Sequence, residues 1–146
     1  MTAEPHVADI ARVIQLAVAP VFLLTALGTL LAVLGTRLGR IVDRSRVLLD
    51  RLPGLPDASR AELREELALL WRRRRLVNLA VTSATVAALF VCLLISWMFV
   101  GFMLRRDFSL LVALLFVFAM GAFVVALLLF LREILLAVGR RRPEER

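Results

Sequence analysis

The 146-residue chain contains no lysine and no tyrosine, and only one cysteine and one histidine. A single cysteine excludes an intrachain disulfide. Cys92 sits within an apolar run, so it reads as a small packing residue rather than a reactive thiol. His6 stands alone near the N-terminus. No paired-cysteine or clustered-histidine metal motif, glycine-rich phosphate loop or nucleophile–base pair occurs, so a non-enzymatic chain without cofactor is expected. The apolar runs also carry no Asp, Glu, Lys, Arg or His at depth, and broken half-helices and inverted repeats are absent. Ion-coupled carriers ordinarily need such features, which argues against a secondary transporter. A passive channel stays open, because backbone and hydroxyl groups can line a pore.

What is abundant is apolar: 61% of residues are hydrophobic and 21% charged. Three runs, about 13–36, 76–104 and 108–131, are each long enough to cross a hydrocarbon core of roughly 30 Å, which takes about 20 helical residues. All 19 basic residues are arginine, and the formal net charge is +7. Eleven arginines fall in 37–75 and five in the tail 132–146, leaving only Arg12, Arg105 and Arg106. This split is read as the positive-inside signal rather than as a nucleic-acid patch. It orients the chain in the cell inner membrane with its N-terminus outside and its C-terminus cytoplasmic. Ala17-Val18-Ala19 resembles a signal-peptidase site. No positive segment precedes it, however, and the apolar run continues beyond it, so an uncleaved first span is expected.

The expected fold is all-α: one integral membrane domain over 1–146, with three transmembrane helices and a cytoplasmic helical hairpin over 37–75 between helices 1 and 2. Pro20 should kink or loosen the first span. Leu38, Ile41, Val42, Leu48, Leu49 and Leu52 continue at helical spacing, and Pro53-Gly54-Leu55-Pro56 then breaks the chain. Asp57 or Ser59 can cap the next helix, with Ser59-x-x-Glu62 as a capping box, and Leu63, Leu67 and Leu70 as its apolar stripe. No breaker follows, so that helix should run from about 58 to 103. Trp71 and Trp97 are 26 positions apart on it, about 39 Å, which matches two interfacial belts.

Two stripes stand out within the spans. Val18, Val21, Thr25, Gly28, Ala32, Gly35 and Gly39 place small or β-branched residues on one face of span 1. In lipid such a face permits close backbone approach, either within the chain or between subunits of a homo-oligomer. Asn78, Thr82, Thr85, Cys92 and Ser96 form a polar stripe on span 2, with Leu89 in the gap. It reads as interhelical glue or, alternatively, as the lining of an oligomeric channel. Ala119, Ala122 and Ala126 give span 3 a close-packing stripe.

The densest charge pattern is Arg37-Leu38-Gly39-Arg40-Ile41-Val42-Asp43-Arg44-Ser45-Arg46. Asp43 is three residues from both Arg40 and Arg46, so it can pair with either along a helix. Glu62, Glu65 and Glu66 face the arginine-rich first arm, and the arginines at 72–75, Arg73 and Arg74 among them, meet anionic headgroups beside Trp71. Glu133 is a lone acid near the depth of Arg37. It is expected to pair with Arg37 or with an arginine of 72–75. Ala19-Pro20 with Leu24-Thr25, Arg37 with Asp43-Arg44-x-Arg46, Glu66 with Arg73-Arg74, and Arg132-Glu133-Ile134 carry a resemblance over about residues 7–138. On these residues the chain resembles a bacterial domain-of-unknown-function family of small three-span membrane proteins. The resemblance implies the architecture and no activity. The expected role is a homo-oligomeric scaffold that presents the basic hairpin to anionic headgroups or a cytoplasmic protein.

Overall fold

The computed structural model describes residues 4–54 and 56–138. These form α1 (Glu4–Arg51), a 3-10 turn (Leu52–Gly54), α2 (Asp57–Leu104) and α3 (Ser109–Val138), with no strand among the described residues. Each α-helix contains a stretch long and apolar enough to cross a bilayer, so this is an all-α multi-pass membrane protein. The expected caps and the basic tail lie in part on residues outside the described ones, among them the side chain of Asp57 and the arginines beyond 138.

Helices α1 and α2 have 48 residues each, about 72 Å at 1.5 Å per residue, more than twice the thickness of a hydrocarbon core. Pro20 lies buried inside α1 without ending it. At the start of α2, the Arg60 amide donates to the Pro56 carbonyl at 3.1 Å, the first bond of the helix. Ser59 is therefore inside the first turn, and the expected Ser59-x-x-Glu62 capping box does not mark the helix start.

The chain divides into two compact units, 1–30 with 83–124, and 31–82 with 125–146. In the second unit the buried positions are Leu34, Ile41 and Leu48 on α1, Leu67, Leu70, Val77 and Ala80 on α2, and Ala126 and Glu133 on α3. Their recurrence at seven, or at three and four, is the seam of left-handed helix packing. In the first unit the core is Ala17, Pro20 and Leu27 against Ala84, Ala87, Val91, Leu94 and Ala119. The alanines let backbones approach, which is how apolar helices associate without a hydrophobic driving force. Ser83 Oγ donates across to the Ala122 carbonyl at 2.7 Å, and Phe90 stacks on Phe118 with ring centroids 5.9 Å apart.

A tight turn joins α2 to α3. The Arg106 amide donates to the Gly101 carbonyl at 3.1 Å and the Arg105 amide to the Phe102 carbonyl at 3.3 Å. With Arg105 at φ 50°, this is a Schellman closure using arginine where glycine is usual. A Cβ at Gly101 would meet the Arg106 carbonyl oxygen and Phe108 Cδ2, each at 3.2 Å, so a side chain there requires the turn to give by a few tenths of an ångström. Asp107 Oδ1 then accepts from the Ser109 amide at 2.8 Å at the mouth of α3. That bond holds the Asp107 carboxyl below its ordinary range.

Candidate functional site

The polar centre of the second unit is Glu133, fully buried on the inward seam of α3. Helix α1 delivers Arg37, whose Nη1 donates to Glu133 Oε2 at 2.7 Å. Helix α2 delivers Arg73, whose Nη2 and Nε donate to Oε1 at 2.6 and 3.2 Å. The Arg37 guanidinium also lies 5.0 Å from the centre of the Phe130 ring, one turn before Glu133 on the same helix. One carboxylate thus joins all three helices. Arg37 and Arg73 are about one-third exposed, at 36% and 30%, so their outer edges are accessible while the acid is not.

Twenty-two residues apart in sequence, Arg44 and Glu66 clamp the arms of α1 and α2 together. Both Nε and Nη2 of Arg44 reach Glu66 Oε1, at 3.2 and 2.9 Å. This pair is exposed and screened, and so is worth roughly 0–1 kcal/mol. The helical pairing open to Asp43 is not made. Asp43 is exposed and forms no ion pair with Arg40 or Arg46 among the described residues. Arg40 and Arg46 are exposed as well, and the Arg74 guanidinium sits 5.6 Å from the centre of the exposed Trp71 ring. The motif therefore divides into arginines held by carboxylates (Arg37, Arg44, Arg73) and arginines left facing outward.

Neither stripe lies on a buried seam of the described residues. Thr25, Gly28, Ala32 and Gly35 are all exposed, as are Val18, Val21 and Gly39. A Cβ added at Gly28, Gly35 or Gly39 would meet nothing within 4 Å. The expectation of packing within the chain is thereby excluded for this face. The inward seam of α1 is instead the Leu27, Leu34, Ile41, Leu48 series at seven-residue spacing, because large apolar knobs fill the space between these helices better than glycine does. On α2, Asn78, Thr82, Thr85, Cys92 and Ser96 are exposed too. Thr82 donates to the Asn78 carbonyl at 3.0 Å and Ser96 to the Cys92 carbonyl at 2.9 Å, so both hydroxyls are satisfied on their own helix. Ser83, outside the stripe, has a hydroxyl that does cross between helices. Its signal is the seam spacing: it sits beside Ala80, Ala84 and Ala87, on the buried side of α2.

With this geometry in view, one comparison decides the relationship. A family described as "Protein of unknown function (DUF2721)" matches residues 17–142. The chain belongs to the DUF2721 family. The matched span contains the whole Glu133 clasp, the Arg44–Glu66 pair and both stripes. No curated protein and no solved structure matches the chain. The DUF2721 description carries no activity, so functional inference rests on the side chains themselves.

Proposed function

We propose that this chain is a non-enzymatic, homo-oligomeric scaffold of the bacterial inner membrane, with its N-terminus outside and its C-terminus in the cytoplasm. The observation that carries this reading is the outward turn of the α1 small-residue face. Its residues are exposed, and a Cβ added at Gly28, Gly35 or Gly39 would meet nothing within 4 Å, which leaves room for a second backbone. The apolar windows of α1, α2 and α3 are only 17, 17 and 11% buried, which leaves ample surface for lipid and for further copies. The arginine asymmetry supports the orientation. In this reading the Glu133 clasp and the Arg44–Glu66 pair stiffen the arms, and Arg40 and Arg46 face headgroups or a cytoplasmic protein.

The test is assembly state by native mass spectrometry from nanodiscs. Gly28→Leu with Gly35→Leu should reduce the assembly to monomers while helix content is unchanged; an undisturbed assembly refutes the α1 interface. Arg40→Gln with Arg46→Gln should abolish a co-purifying partner without altering assembly.

The outward turn of the α2 stripe favours one second reading, an oligomeric channel lined by Asn78, Thr82, Thr85 and Ser96. The self-bonded hydroxyls of Thr82 and Ser96 weigh against it, since they need no water. Cysteines introduced at 82, 85 and 96 would react with a water-soluble thiol reagent in a channel and resist it in a scaffold.

A further inference from the structure

The first unit contains three arginines, Arg12, Arg105 and Arg106, and all three line a single open cleft of about 1680 Å³ within that unit. The charge asymmetry along the chain works against arginine in this half, so the presence of all three of its arginines around one cleft calls for an account of its own. Further along α1, α2 and α3 the cleft lining is apolar, with Leu16, Pro20, Leu94, Met98 and Phe116. Among the described residues, Asp107 is the acid that lines the cleft. Its Oδ1 already accepts from the Ser109 amide, so the aspartate is engaged at the mouth of α3. The volume exceeds the roughly 300–1,000 Å³ of pockets built for drug-sized ligands.

We infer that this cleft seats an anionic phospholipid of the bilayer, with its phosphate among the arginines and an acyl chain along the apolar wall. The division of the lining matches the division of such a molecule: one charged end and one long apolar body. Guanidinium groups suit phosphate because they offer a planar fork of donors to its oxygens. The site is independent of the scaffold reading, since it uses neither the α1 small-residue face nor the basic arms.

Trp97 lines the cleft and serves as its reporter once Trp71, in the other unit, is changed to phenylalanine. Full-length Trp71→Phe protein is placed in nanodiscs of brominated-acyl phosphatidylglycerol diluted into phosphatidylcholine, and in the reverse mixture with the bromines on phosphatidylcholine. Trp97 quenching should exceed the mole fraction of the anionic lipid and fall short of that of the zwitterionic one. Arg12→Gln and Arg106→Gln should each reduce the preference about fivefold, the equivalent of roughly 1 kcal/mol per arginine near the surface. Quenching that follows mole fraction with either headgroup overturns the inference, and this arm needs no arginine variant to fold. A preference that survives Arg12→Gln with Arg106→Gln in a helical protein also overturns it.

Discussion

Ala126 and Glu133 occupy equivalent positions on α3, seven residues apart, and both are completely buried. The seam that takes a methyl group at one level takes a carboxylate two turns later, at the level where Arg37 and Arg73 enter from the other helices. A buried acid is tolerable there because both of its oxygens are occupied by charged donors.

Removing that charge should destabilise the chain. Glu133→Gln keeps the shape but leaves two guanidiniums facing an amide. Fully buried pairs lose about 3–5 kcal/mol when broken and exposed pairs roughly 0–1; with both arginines one-third exposed, a loss of about 2–4 kcal/mol is expected. Thermal unfolding in detergent micelles checks this, and an unchanged Tm would remove the clasp from the stability account.

The fork of Arg73 should matter separately from its charge. Arg73→Lys retains the cation but cannot supply Nε and Nη2 to the same oxygen, so a loss of about 1 kcal/mol is expected. By contrast, a double-mutant cycle on Arg44 and Glu66 should return a coupling below about 1 kcal/mol that shrinks with added salt.

The turn between α2 and α3 offers a paired test of opposite sign. Arg105→Gly relieves a left-handed residue and should stabilise by up to about 1 kcal/mol. Gly101→Ala gains helix propensity but forces a methyl against the Arg106 carbonyl and the Phe108 ring, so a net destabilisation is expected. Chemical or thermal unfolding of the two variants side by side reads both signs.

The same turn should be acid-sensitive. Bonding to Ser109 lowers the Asp107 pKa in the folded chain. Its contribution is therefore present above the unfolded value, about 3.9, and is lost as pH falls through the lower folded value. Asp107→Asn should flatten the pH dependence of stability below about pH 4. A slope identical to that of the unsubstituted protein would show that the bond does not persist in solution.

Ser83→Ala removes the bond to the Ala122 carbonyl and should cost about 0.5–1 kcal/mol, the range of interhelical hydrogen bonds in lipid. Thr82→Ala, whose hydroxyl bonds only its own helix, should cost less in the same assay.

Much of the fold was legible in the sequence. Apolar length announced three helices, the Pro53–Pro56 cluster marked the break between α1 and α2, and the lack of any breaker after Leu70 foretold the continuous run of α2 through the span. The partners of Glu133 were legible for a simple reason: one acid stood among arginines at one depth. The facing of the helices was harder. Glycine and threonine at steps of three and four make a conspicuous stripe on α1, yet the series Leu27, Leu34, Ile41, Leu48 forms its inward seam. In a chain this apolar, leucine is everywhere, so a leucine repeat carries little contrast, and only tertiary contact tells the two faces apart. Asp43 failed as a pairing partner for a related reason: helical spacing permits an ion pair, but an exposed one gains too little to hold both side chains.

The order in which a ribosome releases the three helices gives the clasp a further consequence. Arg37 and Arg73 are made first, and the carboxylate that holds both of them arrives only with the last helix. A nascent chain that has inserted two spans thus holds two guanidiniums without their shared acid, and arrival of the third helix supplies it. Completion of the protein is chemically marked: in a chain cut short before residue 133, these two guanidiniums lack the carboxylate that binds both of them in the finished one.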